Sequence, residues 1–336
     1  MQDQLQTFSQ RVNFTRYRGQ PEGHYESFFV RANHPERPKA FWIRYTIFSP
    51  KGRPHDAIGE LWALFFDGER NSHVAAKQEH PFSDCDFDSS SFRVRIGTAT
   101  LQANRLEGAV VGKAHSLGWD LKFEGASPPV LLLPLKLYQG SFPKAKILVS
   151  VPMARFSGKL TVDGEEVEVA GWTGSQNHNW GSRHTDLYAW GQVAGFDNQP
   201  DSFLEVATAK LRLGPLWTPP ITPLVLRHRQ REYAFTGLAQ AIRARGRFRY
   251  FAWEFASRTA VAEIAGTISA PREAFVGLKY YNPPGGAKHC LNSKIASCTL
   301  RLKDRAAGTT EVLETRSRAA FEILTDDDNH GVAISA

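Results

Sequence analysis

The segment Ala40–Phe48, AFWIRYTIF, decides what kind of fold this chain can adopt. Successive side chains of a strand point to opposite faces, so Phe41, Ile43, Tyr45 and Ile47 share one side while Trp42, Arg44, Thr46 and Phe48 share the other. Neither side is plainly polar. A strand of this kind belongs in a barrel or sandwich, where one face lines a core or cavity and the other is covered by neighbours. Arg44 is the odd member: it reads as a structural residue, in a salt bridge or at a barrel mouth, or as an anchor for a ligand.

The same period of two recurs outward from this segment. Phe92, Val94 and Ile96 alternate with Arg93 and Arg95, Leu117 to Glu124 repeats the pattern around Trp119 and Phe123, and Phe251, Trp253 and Phe255 repeat it again. Asp163-Gly164 lies between GKLTV and EEVEVA, where a two-residue hairpin turn needs positive φ at both positions. Helical periodicity is scarce: Gly237–Gly246, GLAQAIRARG, predicts one short surface helix. The fold class is therefore all-β with minor helix, built from antiparallel sheets joined by hairpins.

At 336 residues the chain exceeds the usual size of one core, so two domains are expected. The Pro-rich run from Pro129 predicts an irregular connector and a boundary near residue 170, dividing the chain into 11–170 and 171–325. A second Pro-rich stretch, Gly214–Pro223, reads either as a lid or as an inert loop.

Composition narrows the function classes. With 42% hydrophobic, 22% charged and 12% aromatic residues the chain can build packed cores. The net charge of +7 is spread along the chain, the most basic stretches being Arg227–Glu232 and Arg243–Arg249. No nucleic-acid-binding signature surrounds them, so no nucleic-acid partner is expected. Cys85, Cys290 and Cys298 lack the spacing of a disulfide framework or zinc knuckle. No apolar run of about 18 residues is present and the N-terminus lacks signal-peptide order, so the expectation is a cytoplasmic protein without stable membrane insertion.

Chemistry concentrates in Gly171–Asp197, GWTGSQNHNWGSRHTDLYAWGQVAGFD. A plain core disfavours so many amide, imidazole, carboxylate and indole groups, because each buried donor or acceptor needs a partner. His178, Asp186 and Tyr188 are the candidate catalytic residues. Gln176, Asn179, Trp180 and Trp190 are candidate ligand contacts, with Trp42 and Arg44 from the opening strand and Asn292 from CLNSK. Bland readings stand beside these: a junction histidine bonded to a carbonyl, a packing tryptophan, and Asp186 paired with Arg183. His178, His184 and Asp186 lack a fourth ligand for a closed zinc site, and neither a phosphate loop nor a nucleophile elbow occurs. Neither metal nor cofactor is expected.

Three stretches resemble the superfamily of two-domain lipocalin-like proteins that includes carotenoid 1,2-hydratases, tocopherol cyclases and AttH-type proteins. They are Glu26–Pro50, Val162–Gly181 with its His-Asn-Trp-Gly element, and Tyr280–Leu302 around Cys290–Lys294. The resemblance implies two consecutive calycin-type barrels and cofactor-free, acid-promoted hydration, cyclisation or isomerisation of an isoprenoid- or polyketide-like molecule near the domain junction. His178 and Trp180 carry over most directly; Asp186 and Tyr188 follow less closely because the spacing after Gly181 varies. Two other functions stay open: a non-catalytic carrier of hydrophobic small molecules, and a scaffold that meets a partner through the Arg227–Arg249 face.

Overall fold

The computed structural model describes residues 8–336, and two large antiparallel sheets take up most of them. The first holds β1 (His24–Asn33), β2 (Lys39–Ser49), β3 (Ile58–Asp67), β4 (Ser72–Pro81), β5 (Cys85–Phe87) and β6 (Arg93–Ile96). It continues with β7 (Ala99–Gln102), β8 (Arg105–Val111), β9 (Ser116–Glu124), β10 (Val130–Leu131), β11 (Ala145–Val162) and β12 (Glu165–Gly181). The strand order is β4-β3-β2-β1-β12-β11-β9-β8-β7-β6-β5, with β10 on β11. β4 also lies against β8 and β9, so the sheet curls into a nearly closed barrel. Phe28, Phe41, Tyr45, Leu61, Trp119, Phe156 and Trp172 fill it.

The second sheet holds β13 (Leu187–Ala194), β14 (Phe203–Lys210), β17 (Leu224–His228), β18 (Arg231–Phe235), β19 (Arg245–Arg249) and β20 (Ala252–Arg258). β21 (Ala262–Ser269), β22 (Val276–Tyr281), β23 (Ala287–Asp304) and β24 (Thr309–Thr325) complete it. The order is β18-β17-β14-β13-β24-β23-β21-β20-β19, with β22 on β23, around a core that includes Phe196, Trp253, Phe255 and Phe321. The chain is thus all-β and lipocalin-like. Among the described residues no helix is long and apolar enough to cross a membrane.

Local expectations meet the structure in several places. Asp163 and Gly164 adopt φ of 49° and 88° in the two-residue turn between β11 and β12. Leu238–Arg243 forms the short helix. The stretch after Pro129 is only partly irregular: it holds β10 and the helix Leu135–Gln139, and from Ala145 it is an 18-residue strand. The Pro-rich loop of the second half begins in a small hairpin, β15 (Arg212–Leu213) and β16 (Leu216–Trp217), whose Leu213, Leu216 and Trp217 are exposed. In the basic stretch, Arg227 pairs with Glu232 and donates to the carbonyls of Pro128 and Pro129, bracing one barrel on the other.

The changeover between sheets falls later than the expected boundary near residue 170. β12 crosses that position unbroken, pairing with β11 along its length and with β1 from Thr173 to Gly181, and the second sheet begins only at Leu187. The polar run looked like the start of a new unit because of its composition. Its groups instead serve the end of the first barrel and the face turned toward the second. A bulge at Gly171, φ 66°, makes this possible. It skips one residue, so Val167, Val169 and Trp172 all pack inward and the even-numbered residues beyond continue that face.

Candidate active site between the two barrels

β12 divides the predicted residues between two places. Its even-numbered side chains, Gln176, His178 and Trp180, turn toward the end of the first barrel, where residues 8–17 lie across it. Phe28 stacks on His178 with ring centroids 4.2 Å apart, and Trp180 lies 4.7 Å from the same imidazole. His178 Nε2 lies 2.8 Å from Glu26 Oε1 and Nδ1 lies 2.5 Å from the carbonyl of Val12. Glu26 also accepts from the backbone N–H of Arg16 and Tyr17, from Thr15 Oγ1 and from His24 Nε2.

Protonation follows from counting donors. Glu26 is surrounded by donors and acts as a carboxylate, and each ring nitrogen of His178 faces an acceptor, while burial, the largest effect, lowers the imidazole pKa. Burial alone would raise the Glu26 carboxyl, but the hydrogen bonds and charge of His178 and His24 outweigh it and hold it at about 2. For His178, burial pulls the imidazole down and Glu26 opposes it. This cluster is a latch for the N-terminal segment. Asn13 extends it, exchanging two hydrogen bonds with Gln176.

Glu26→Gln is expected to weaken the fold by about 3 kcal/mol, the linkage energy of a carboxyl held at about 2 in the fold and in the ordinary carboxylate range when unfolded. That stability is present above the unfolded carboxylate range and is lost as pH falls through about 2. Denaturant unfolding from pH 2 to 7, with proteolysis of residues 8–17 as a second readout, checks it; an unchanged cleavage pattern would contradict the latch.

The odd-numbered face of β12 meets the second sheet. Phe29 of β1, Trp42 of β2, Trp62 and Leu64 of β3, Trp190 of β13, Leu278 and Tyr280 of β22 and Cys290 of β23 form an apolar layer between the sheets. Charged and amide groups are set into it, buried. Lys294 Nζ donates to Glu322 Oε1 (2.7 Å), as does Asn292 Nδ2 (3.0 Å). The same ammonium lies 5.6 Å from the Trp42 ring and 5.5 Å from that of Trp190. Arg44 sits 4.4 Å over Tyr280 and donates to Ser27 Oγ.

Beside them runs an amide network centred on Gln192. Its Oε1 accepts from Arg31 Nε and Ser175 Oγ, both at 2.6 Å, and its Nε2 donates to Asn177 Oδ1 and Glu205 Oε2, both at 2.8 Å. Trp190 Nε1 donates to the other oxygen of Glu205 (2.7 Å). Burial pushes the Glu205 carboxyl up to about 8, against those two hydrogen bonds and the charge of Arg31. Burial thus favours the protonated form of Glu205, although both of its oxygens accept hydrogen bonds. Burial likewise raises the phenols of Tyr188 and Tyr280, which stay protonated as donors.

Several donors of the layer are unused. Among the described residues, Trp42 Nε1 and Trp62 Nε1 are buried without a hydrogen-bond partner, and Tyr280 Oη has only the Cys290 thiol near it. Register brings them together: Arg44 opposes Trp62 across β2 and β3, and Trp42 is two residues along the same face. Buried donors are nearly always satisfied, so these three groups stand out from the rest of the layer.

Of the predicted residues, Trp42, Arg44, Tyr188, Trp190 and Asn292 belong to this layer, with Tyr188 at its partly exposed edge. Asn179 is on the same strand face, its buried Oδ1 unpartnered. Gln176, His178 and Trp180 belong to the latch. Asp186 lies in the link between sheets, where it pairs with Arg183 and accepts from the backbone N–H of Arg212 at 2.9 Å. His184 stacks on Tyr25 with centroids 4.0 Å apart, away from the His178 latch. Sequence reasoning missed Arg31, Gln192, Glu205 and Glu322. Glu205 stands alone in the apolar strand FLEVA, as Arg44 does in AFWIRYTIF, and that anomaly could have flagged it.

Fold and site together define an architectural class: a two-barrel, lipocalin-like protein with a buried acid and unpaired donors between its barrels. Solved structures of the same architecture include an AttH-like protein from Nitrosomonas europaea, with TM-score 0.55 and 14% identity over 90% of this chain and 91% of that one. Kievitone hydratase from Nectria haematococca matches with TM-score 0.55 and 10% identity over 90% of this chain and 89% of that one. CghA in complex with Sch210972 matches with TM-score 0.56 and 12% identity over 92% and 90%. No protein-family model matches the chain, and no curated protein matches its sequence. The likeness is one of fold, and it agrees with the superfamily resemblance in the sequence.

Proposed function

We propose that this chain is a cofactor-independent acid catalyst that binds a hydrophobic small molecule between its barrels and hydrates, cyclises or isomerises it. One observation carries the reading: the Glu205 carboxyl is buried against the indole of Trp190 in an aromatic layer, where burial pushes it up to about 8. Protonating an unactivated double bond needs such an acid and aromatic faces to shelter the cation that forms. In a hydration, the Glu205 proton goes to one alkene carbon, water adds to the other, and the proton water then sheds returns to the Glu205 carboxylate. In a cyclisation or isomerisation, a substrate proton returns it. Tyr188, Arg44, Trp42, Trp62 and Tyr280 supply donors that orient a ligand oxygen.

The names of two structural neighbours support the direction of this reading: one is a hydratase of kievitone, and CghA is seen with a bound small molecule. The carrier reading predicted that His178 and Asp186 would be engaged internally, and both are. Catalysis is accordingly assigned to Glu205 and Tyr188.

The test is a panel of prenylated phenols and polyenes incubated in 18O-labelled water. Hydration adds the mass of one labelled water, and cyclisation leaves the mass unchanged with a shifted retention time. Tyr188→Phe is expected to lower turnover about 10-fold, consistent with loss of one hydrogen bond. Binding across the panel without any product would leave only the carrier.

A further inference from the structure

A second feature lies at the rim of the inter-barrel layer. The turn 34–38 between β1 and β2 faces Asp197 and residues 316–318 of the second barrel across a cleft of about 550 Å³. Arg318 lines it. Its side chain is only 9% exposed, its Nε is buried without a partner, and among the described residues nothing accepts a hydrogen bond from its guanidinium. A buried guanidinium without an acceptor is costly, and its five donors form a planar fork suited to an oxyanion.

The backbone is shaped around this side chain. β24 bulges here: pairing jumps from Ala296 with Ala319 to Cys298 with Thr315, so residues 316–318 oppose Ser297 alone. Gly195, at φ 83°, leaves the space the guanidinium needs, since a Cβ there would stand 3.0 Å from Arg318 Nη2 and 2.8 Å from the Pro200 carbonyl. Asp197 opposes the charge of Arg318 across the cleft without accepting a hydrogen bond from it. Asp197 accepts from Thr315 Oγ1 (2.8 Å) and Arg316 N (2.9 Å), and it lies 4.0 Å from Arg316 Nε. Arg37 pairs with Glu69. Glu36 opposes the positive charge, while His34 Nδ1 accepts from the N–H groups of Glu36 and Arg37, leaving the ring hydrogen on Nε2.

The floor of the cleft is formed by buried polar groups that also contact the inter-barrel network. Asn33 Nδ2 donates to the carbonyls of Ser317 (3.3 Å) and Lys294 (2.7 Å), and Arg31 Nη1 reaches the carbonyl of Arg318 at 3.5 Å. Those residues belong to the layer that holds Gln192 and Glu205.

We propose that this cleft binds the carboxylate of an amphipathic small molecule, with Arg318 as its buried anchor and Arg316 as its outer partner. The apolar remainder of the molecule runs toward the inter-barrel layer, and for that destination the proposal rests on the proposed function. The carboxylate site itself does not depend on turnover.

Titration calorimetry of the full chain with decanoate, acetate and inorganic phosphate is the test. Decanoate is expected to bind at least 10-fold more tightly than acetate or phosphate, to weaken at least 10-fold in Arg318→Gln, and to weaken several-fold in Arg316→Gln. Arg316 is 97% exposed, so that variant keeps its fold. Arg318→Gln is expected to unfold at a denaturant midpoint no lower than wild type, because the guanidinium it removes donates no hydrogen bond and its burial outweighs the attraction of Asp197. Decanoate binding unchanged in both variants overturns the proposal, as does a lowered midpoint for Arg318→Gln with binding intact, which marks a structural arginine. Equal affinity for all three anions reduces the cleft to an inorganic-anion site and overturns the amphipathic ligand. Loss of turnover in Glu205→Gln with decanoate binding retained separates this site from the catalytic reading.

Discussion

Glu205→Gln is expected to lower turnover by a factor of about 100 to 10,000, the usual contribution of a positioned general acid, and to flatten the dependence of stability on pH. The wild-type rate should be level below neutrality and fall as pH rises through about 8, where the acid loses its proton. The stability argument has the same origin. The folded carboxyl holds its proton up to about 8, whereas the unfolded one releases it in the ordinary carboxylate range. Its contribution is fully present below the unfolded pKa and is lost as pH rises toward 8, by about 5 kcal/mol at most.

The glutamine variant lacks that slope. Its amide must turn an N–H toward Gln192 Nε2 or Trp190 Nε1, both donors now, so a pH-independent loss of about 1 to 3 kcal/mol is superimposed. Denaturant unfolding of both proteins from pH 5 to 9 isolates the difference. Parallel stability curves would show that Glu205 is ionised in the fold and remove it as the acid.

The second large effect concerns Lys294 and Glu322. Glu322→Leu is expected to destabilise the protein by about 3 to 5 kcal/mol, because it leaves an ammonium buried between Trp42 and Trp190 with only Asn292 beside it. Burial already lowers the Lys294 pKa, and Glu322 is the main group opposing that shift. The double variant Lys294→Met with Glu322→Leu removes both charges and should recover most of the loss, since an apolar pair of similar volume is often as stable as the ion pair. Denaturant midpoints of the two single variants and the double variant decide it. Additive losses would mean that the two side chains act independently and that the layer does not depend on their pairing.

Legibility differs between fold and site for a physical reason. Period-two alternation is local, so Ala40–Phe48, Leu117–Glu124 and the Asp163-Gly164 turn could be read without tertiary knowledge. Arg44, Trp42, Tyr188, Trp190 and Asn292 stood out as polar or aromatic anomalies in apolar strands and share one layer. His178 looked most like a functional residue, but composition does not say which way a strand face points. The bulge at Gly171 directs it into the first barrel, and the acceptors that complete its bonding, Glu26 and Val12, lie 152 and 166 residues away.

By itself the sequence determined an all-β chain of short alternating strands, the hairpin at Asp163-Gly164, the short helix near residue 240 and the residue types of a site, because each depends on neighbours a few positions apart. Only the tertiary structure decided which of those residues meet. Burial raises the Glu205 carboxyl because Trp190 and the opposing sheet exclude water from it, Lys294 is paired because β23 and β24 lie side by side, and Arg318 lies in a cleft between barrels because a bulge turns it there. Protonation and pairing depend on burial and distance across the fold, and neither is written in local sequence.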